Sequence, residues 1–437
     1  MIATPWGDVQ ELPELDQDAA SSNGGHTPLA LRMPRERLYA AMIAACAQRG
    51  YEETTVTELL AISGVSRATF YEYFDNKAAC FVATLEAVLE EVVAELAQAF
   101  DTDLPRAQQA RECLRGLIEM VSAQPATARL CLVEPYVVGE AAMETMRGTV
   151  EALRLLAREA LKELRGSDGM PEEISQAIVG GIRHILFRRV YAEELEGLAE
   201  LEQPLWDWVL SYEPPPRPLR LKGRRPKPTP HDGSSAFAAH YPAERIIRGF
   251  ASAVAEKGYP STTISDVSGH AAISQRTFYE YFDGKYETLM AALDSSGMQT
   301  AAAVLPAIRR SPGWPDSVRA AFGALCAFFA AEPDLARLRE VAVYAAGPEA
   351  IAQRDKVGTQ IFGEIFTETE GPDVDPMTRD AVVGALYSVM HRRIRMEGTE
   401  SMPEIAPLMT FITLAPLLGA EQACEVANGD GLRRSAR

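Results

Sequence analysis

The chain has 437 residues, of which 47% are hydrophobic and 24% charged, a composition typical of globular proteins with enough apolar material for several cores. Its 43 basic and 61 acidic residues give a net charge of −18, which excludes a uniformly basic nucleic-acid coat protein and leaves only local basic patches. The six cysteines lack the spacing of a disulfide framework or of a Cys-x-x-Cys metal site, so we expect a cytoplasmic protein.

Neither the start of the chain nor its most apolar stretch indicates a membrane. The N-terminus lacks the basic and apolar regions of a secretory signal, and residues 1–33 are predicted to form a mobile acidic tail. The apolar residues 405–420 form a segment shorter than the roughly 20 residues of a membrane span, and Pro407 and Pro416 interrupt it. We interpret this segment as a buried helix and expect no membrane partner.

The chain contains an internal repeat. At an offset of 208, residues 50–77 align without a gap on residues 258–285, and residues 124–139 align on 332–347. At an offset of 204, residues 177–190 align on 381–394. Each copy is therefore a unit of about 180 residues.

Within each copy the apolar residues recur at the spacing of helices. Phe81, Leu85, Val88 and Val92, for example, share one helical face, while the alternation typical of strands is essentially absent. The sequence predicts an all-α protein in which each copy has three short N-terminal helices followed by a larger helical bundle.

The N-terminal helices of each copy are marked by their ends. Gly50 ends the first helix, Thr55 and Glu58 have the spacing of a capping box that begins the second, and Gly64 permits the tight turn before Ser66 caps the third. In the second copy, Thr263 and Asp266 repeat the capping box. The pattern predicts a helix-turn-helix in both copies.

The third helix has one apolar face and one face with hydrogen-bonding groups. Phe70 and Phe74, four residues apart, are interpreted as core residues, as are Phe278 and Phe282. Arginine, threonine and tyrosine side chains project elsewhere, where they suit a major groove and its phosphates, and Lys77 follows as a further phosphate partner. An aromatic run of this kind also suits a core, and we favour the DNA role for Tyr71, with the two interpretations closer for Tyr73.

The pattern GY…TTV…LA…SGVS…TFYEYF…K resembles the DNA-binding domain of TetR-family transcription regulators, and it occurs twice. The resemblance implies an all-helical protein that reads an operator with its N-terminal helices, binds a small ligand in the bundle and dimerises through the last two helices. By this resemblance the DNA-contacting positions are Thr55, Arg67, Ala68, Thr69, Tyr71, Tyr73 and Lys77 in the first copy and Thr263, Gln275, Arg276, Thr277, Tyr279, Tyr281 and Lys285 in the second.

The second copy departs from this pattern at its turn, where Ala272 stands in the position of Gly64. A non-glycine residue held at positive φ costs roughly 1 kcal/mol, so we expect an adjusted or slightly strained turn.

A Pro-rich basic segment separates the copies. Its residues Arg220, Lys222, Arg224, Arg225 and Lys227 are candidates for an arm that enters a minor groove, and GRRPKP loosely resembles an AT-hook; a soluble spacer is the open alternative.

The predicted boundaries are 1–33 for the acidic tail, 34–79 for the first helix-turn-helix domain, 80–212 for its bundle, 213–241 for the linker, 242–287 for the second helix-turn-helix domain, 288–424 for its bundle and 425–437 for a mobile C-terminal tail.

The sequence offers no catalytic residue, metal site or cofactor site. The histidines lack partners at metal-ligand spacing, and the HExxH, GxSxG and phosphate-loop motifs are missing. We expect a ligand-responsive transcription regulator that acts as a repressor and whose partners are double-stranded DNA and an unknown small-molecule effector. The copies are predicted to pair as an intrachain pseudo-dimer, with further self-association open, on an imperfectly palindromic operator. The alternative is a ligand-buffering or protein-interaction module that has lost DNA reading in one or both heads.

Overall fold

The structure, a computed structural model, describes residues 2–6, 8–9, 32–99, 104–166, 169–220, 241–367 and 371–430. Every regular element in these ranges is a helix, and the extended residues are limited to an isolated bridge between Ile2 and Val9. The predicted all-α class is confirmed. Two compact units are present, Met1–Ala160 with Leu186–Gln203 and Leu161–Ile185 with Pro204–Arg437.

The described helices of the first copy follow the predicted order. They are α1 (Pro34–Glu53), α2 (Val56–Ser63), α3 (Arg67–Tyr73), α4 (Lys77–Ala99), α5 (Arg106–Ala123), α6 (Pro125–Leu132), α7 (Pro135–Val138), α8 (Glu140–Arg165), α9 (Glu172–Tyr191) and α10 (Glu202–Leu210). A 3₁₀ turn, Leu198–Leu201, leads into α10.

The second copy repeats this order. Its helices are α11 (Pro242–Lys257), α12 (Ile264–Ala271), α13 (Gln275–Tyr279), α14 (Lys285–Arg309), α15 (Trp314–Ala331), α16 (Pro333–Glu340), α17 (Pro348–Thr367), α18 (Pro376–Glu397), α19 (Met402–Leu418) and α20 (Ala420–Ala427). The 3₁₀ turn Ala342–Ala346 takes the place of α7, and Thr399–Ser401 precedes α19.

The predicted helix ends of the first copy are confirmed. Gly50 has a φ of 75° and breaks the helical backbone near the end of α1. The capping box at the start of α2 is complete, because the Thr55 hydroxyl accepts from the Glu58 amide and the Glu58 carboxylate accepts from the Thr55 amide. Gly64 ends α2 at a φ of 62°, and Ser66 caps α3 by accepting from the Thr69 amide.

Both ends of the described chain are packed. Trp6 and Val9 are buried in the core of the first unit, with the Trp6 ring 5.1 Å from the Tyr39 ring. Two backbone hydrogen bonds between Ile2 and Val9, of 2.7 and 2.8 Å, close the loop that carries the tryptophan. Residues 425–430, assigned from the sequence to a tail, complete α20 and the turn after it. Residues 10–31 and 431–437, also in the predicted tails, lie outside the described residues.

Helix α19 forms part of the core of the second unit. Among the described residues one stretch, Thr399–Leu418, has the length and composition of a membrane span, and 72% of it is buried inside the protein. Thr410 and Thr413 are fully buried and donate to the carbonyls of Ala406 and Met409, so their hydroxyls are satisfied within the helix. This environment agrees with the interpretation of the segment as a buried helix.

Within the second unit, α9 and α18 cross at small residues. A Cβ at Gly180 would overlap Ser388, and a Cβ at Gly384 would overlap His184. At the 204-residue offset of the repeat, Gly180 corresponds to Gly384 and His184 to Ser388. The two contacts are therefore equivalent, each made by one copy toward the other. The Gln176 amide adds a hydrogen bond of 2.7 Å to the Ser388 carbonyl.

Candidate DNA-binding surfaces

Each helix-turn-helix domain (residues 34–79 and 242–287) is called a head below. The third helix of each head directs its phenylalanines inward and its tyrosines outward. Phe70 and Phe278 are fully buried, whereas Tyr71 and Tyr279 are 51% and 57% exposed. Tyr73, the last residue of α3, and Tyr281, two residues beyond the end of α13, are exposed as well. This arrangement confirms the interpretation of the phenylalanines as core residues and leaves the phenol groups at the surface.

The two heads hold the first tyrosine in the same way. The Tyr71 ring stands edge-on to Phe70, with centroids 5.2 Å apart and planes at 86°. Tyr279 and Phe278 repeat this geometry at 5.3 Å and 87°. In both heads the exposed tyrosine therefore packs against the edge or face of a buried phenylalanine.

The polar residues at the start of α3 form a small network. Ser66 and Thr69 share a hydrogen bond of 2.8 Å between their hydroxyls, and the Arg67 guanidinium donates to the Thr57 hydroxyl at 3.1 Å. Arg67 and Ala68 are exposed. The arginine therefore stands at the surface, in contact with α2.

The second head presents different groups at these positions. Gln275 and Arg276 are exposed, and the Arg276 side chain has 90% of its surface accessible. Its nearest acid is Glu280, 3.6 Å away along the same helix. Thr277 repeats the contact of Thr69, with its hydroxyl 3.0 Å from that of Ser274. The scaffold is thus the same in both heads, but the exposed arginine has moved by one position.

Thr55 and Thr263 are occupied as helix caps. The Thr55 hydroxyl lies 3.1 Å from the Glu58 carboxylate and accepts from the Glu58 amide at 3.3 Å. Thr263 makes the same contacts with Asp266 at 2.7 and 3.2 Å. Hydrogen bonds from Lys257 and Thr263 hold the pKa of Asp266 well below its usual range. Both threonines are exposed, so their caps lie at the surface of the heads.

Lys77 and Lys285 are engaged inside the protein. The Lys77 ammonium donates to the carbonyls of Tyr51 and Thr54, both at 2.7 Å, and lies 4.0 Å from the centre of the Tyr51 ring. Lys285 donates to the Tyr259 carbonyl at 3.0 Å and lies 4.5 Å from the Tyr259 ring. Burial lowers the pKa of both lysines. In this structure each lysine holds the end of the first helix of its head against the start of the fourth, a role that no local sequence pattern indicates.

The turn of the second head has the predicted strained residue and an added support. Ala272 adopts a φ of 53° and a ψ of 49° in the left-handed region. Arg245 donates to the carbonyls of Ala271 and Ala272 at 2.6 and 2.8 Å. The corresponding Arg37 lies beside Gly64, where its terminal nitrogen would be 2.6 Å from an added Cβ.

The start of the basic linker is attached to α20 within the second unit. Asn428 accepts from the Arg220 amide at 2.8 Å and donates to the Pro218 carbonyl at 3.2 Å. Arg217 pairs with Asp430 at 2.9 Å. Arg220 is exposed at the end of this attached segment. The other arm candidates, Lys222, Arg224, Arg225 and Lys227, lie outside the described residues.

Each head is linked to its bundle by carboxylates, but at different positions. In the first copy the buried Glu134 accepts from the Tyr51 amide at 2.9 Å and from Arg129 at 3.0 Å. Burial raises the pKa of Glu134. The second copy has Ala342 in this position, and there the Ser252 hydroxyl on α11 donates to Asp334 on α16 at 2.6 Å.

Comparison with known proteins identifies both heads. Residues 38–84 and 246–292 match the family described as "Bacterial regulatory proteins, tetR family". The HTH-type transcriptional regulator RutR of Escherichia coli is 24% identical over 139 residues, which cover 32% of this chain and 65% of RutR. The HTH-type transcriptional activator FasR of Mycolicibacterium smegmatis is 22% identical over 138 residues, which cover 30% of this chain and 63% of FasR.

Two similar solved structures each cover 40% of the chain. The fatty acid degradation regulator FadR from Bacillus halodurans has a TM-score of 0.38 and 17% identity, covering 40% of this chain and 97% of FadR. FadR from Bacillus subtilis, solved with stearoyl-CoA, has a TM-score of 0.37 and 15% identity, covering 40% of this chain and 97% of that protein. The N-terminal domain of the tetR family of bacterial regulatory proteins is thus matched twice in the chain, once in each copy.

Proposed function

We propose that this protein is a cytoplasmic, DNA-binding transcription regulator that acts as a repressor under the control of a small apolar or amphipathic effector. Its two non-identical heads read the halves of an imperfectly palindromic operator. The family is described as regulatory proteins, and the relatives RutR and FasR are named a transcriptional regulator and a transcriptional activator, in agreement with the prediction that the chain is not an enzyme.

The outward face of the third helix carries this proposal. In both heads an exposed tyrosine packed against a buried phenylalanine stands beside a threonine and an arginine, on a helix whose opposite face is buried. Tyrosine, threonine and arginine donate hydrogen bonds to phosphates, and arginine also pairs with the base edges of guanine. A short helix that presents these groups at its N-terminal end suits the major groove.

The copies pair within one chain in this proposal. The reciprocal contacts of Gly180 with Ser388 and of Gly384 with His184 support it, because such an exchange of equivalent contacts is the mark of a two-fold interface. The Tyr212 hydroxyl, fully buried, adds a hydrogen bond of 3.0 Å to the Ile412 carbonyl on α19. A single chain would then bring both heads to the operator, although further self-association stays open.

A mobility-shift assay with the DNA upstream of its own gene tests the proposal. We expect Tyr71→Ala and Tyr279→Ala each to weaken binding and the double variant to abolish it, while Met396→Ala, an exposed residue of the second bundle, binds like the parent. Light scattering should give one chain per operator.

Two results would contradict the proposal. Failure of the parent chain to bind any fragment in genome-wide footprinting would favour the ligand-buffering or protein-interaction module. A complex with two chains on each operator, joined between chains, would overturn the intrachain pairing.

A further inference from the structure

The second bundle contains a mainly apolar cavity. Its volume is about 70 Å³, and α14, α15, α17, α18 and α19 provide most of its walls. One water needs ~10–15 Å³ of such space, so the cavity has room for about six non-hydrogen atoms. Phe322, Phe362 and Leu386 are among the apolar residues that line it. The cavity suits the hydrocarbon part of a small ligand.

Besides Thr300, whose hydroxyl donates to the Ser296 carbonyl at 2.7 Å, three polar side chains line this cavity. Arg339 and Glu340, the last residues of α16, are 3% and 1% exposed, and Tyr387 of α18 is 6% exposed. Both Glu340 oxygens, the Tyr387 hydroxyl and one terminal Arg339 nitrogen have no hydrogen-bond partner among the described residues. The nearest ion-pair contact joins Arg339 Nε and Glu340 Oε1 at 3.4 Å. Buried polar groups without partners are costly, which favours a ligand that supplies them.

Neighbouring residues hold these groups in place without satisfying them. Arg354 donates to Asp355 at 2.7 and 2.8 Å and lies 3.8 Å from the centre of the Tyr387 ring. Gly358 leaves room for the Tyr387 hydroxyl, since a Cβ there would overlap it. The polar groups are therefore fixed in the cavity wall by the packing around them.

The first copy lacks these residues. At the offset of 208, Cys131 and Leu132 stand in the positions of Arg339 and Glu340, and Met146 stands in the position of Arg354. At the offset of 204, Arg183 takes the place of Tyr387. The polar cavity wall thus belongs to the second copy.

We propose that the second bundle binds a small amphipathic ligand whose uncharged head both donates and accepts hydrogen bonds, as an alcohol or a carboxamide does. The head donates to the Glu340 carboxylate and accepts from Arg339 or the Tyr387 hydroxyl, while the hydrocarbon chain fills the apolar part of the cavity. Glu340 opposes an anionic head, and Arg339 together with Arg354 opposes a cationic one. The inference specifies the effector class, and its regulatory meaning rests on the proposed function.

Helix α16 connects this site with the second head. Its last two residues line the cavity, and near its start Asp334 accepts from Ser252 of α11 at 2.6 Å. Just before α16, Glu332 accepts from Arg248 of α11 at 3.4 Å. A ligand that shifts α16 would therefore act on α11, and we expect it to alter DNA binding by the second head more than by the first.

Calorimetry with probes of equal chain length tests the inference without DNA. Pentanamide and pentanol should bind the full-length protein at least about tenfold more tightly than pentanoate and pentylammonium at neutral pH, which corresponds to ~1.4 kcal/mol. Tighter binding of either charged probe, or no binding by any probe at millimolar concentration, would overturn the inference.

Variants of the cavity wall sharpen this test. Glu340→Gln keeps the shape of the side chain and removes its charge, so it should improve pentanoate binding about tenfold, while Glu134→Gln, a buried carboxylate of the first copy, should change nothing in ligand binding. Should Glu340→Gln fail to fold, Tyr387→Phe should still weaken pentanamide binding several-fold. Unchanged selectivity in these variants would contradict the assignment of the polar groups. Binding of pentanamide without any change in DNA affinity would support the site and count against its effector role in the proposed function.

Discussion

The two copies share a scaffold and differ in the parts that face a ligand. Both heads have the capping box, the lysine at the end of the first helix and the tyrosine held edge-on to a buried phenylalanine. The heads differ at the start of the third helix, where Arg67-Ala68 corresponds to Gln275-Arg276. The bundles differ at the polar cavity wall, which only the second one has. The helix caps, the lysine and the edge-on tyrosine are therefore common to both heads, whereas the dipeptide at the start of the third helix and the polar cavity wall distinguish the copies.

A pair of packed aromatic rings occurs at the same place in both copies. Tyr136 meets Phe187 edge-on in the first copy, with centroids 5.5 Å apart and planes at 89°. In the second copy Tyr344 meets His391 at 4.9 Å and 88°. The His391 imidazole also lies 2.8 Å from the Glu340 carbonyl. The packing geometry is therefore common to both copies, and only the second pair contains an imidazole.

The largest expected change in stability comes from replacing His391 by the residue type that the first copy has at the equivalent position. Burial lowers the pKa of His391 from 6.5 to about 4. The unfolded chain therefore binds a proton more readily than the folded one, and stability that is complete above pH ~6.5 falls by about 3 kcal/mol as the pH approaches ~4. His391→Phe, which copies the first unit, should remove this part of the acid sensitivity in urea unfolding followed by tryptophan fluorescence. An identical pH dependence in parent and variant would contradict a buried neutral histidine.

The crossing of α9 and α18 provides a second test. Gly180→Ala and Gly384→Ala should each lower the free energy of unfolding by about 2 kcal/mol, because the added methyl groups overlap the opposite helix. Gly323→Ala is the matched control, since a Cβ there meets nothing within 4 Å, and it should raise stability by about 0.5–1 kcal/mol. Unequal effects of the two test variants would show that the crossing is not reciprocal.

Substitution of the two lysines distinguishes a role in the stability of the heads from a role in binding DNA phosphates. Lys77→Met and Lys285→Met should each lower the stability of their own head by about 1–2 kcal/mol, because buried carbonyls lose their donors. Since these ammonium groups are engaged internally, the salt dependence of DNA affinity should stay close to that of the parent. If the slope of log K for DNA binding against log[salt] fell by about 0.9 in magnitude, the lysine would instead make a phosphate contact, as the sequence predicts.

The smallest expected change in stability is at the turn between the second and third helices of each head. Ala272→Gly should stabilise the second head by up to about 1 kcal/mol, because glycine adopts the positive φ without strain. Gly64→Ala should destabilise the first head by at least as much, since the new methyl group also meets Arg37. Thermal unfolding measures both changes. A stabilising Gly64→Ala would show that the turn itself does not distinguish the heads.

The features predicted from the sequence depend on local spacing. The capping boxes, the glycine turn, the positive φ of Ala272 and the buried phenylalanines all follow from residues within one or two helical turns. The internal role of Lys77 and the burial of Trp6 depend on contacts distant along the chain, which no local pattern encodes. The polar cavity wall is only partly predictable from the sequence. The repeat alignment shows that Arg339 and Glu340 replace apolar residues of the first copy, but it cannot show that they line one cavity.

The most direct test of two different heads in one chain is a selection from random DNA with the full-length protein. Arginine prefers the guanine acceptors and glutamine can pair with adenine, so Arg67 and Gln275 should select different bases. Moving the arginine by one position also rotates it by about 100° around the helix. We expect a site with two unlike halves, whose preferences exchange when Arg67-Ala68 and Gln275-Arg276 are swapped. A perfectly symmetric site that the swap leaves unchanged would contradict the account.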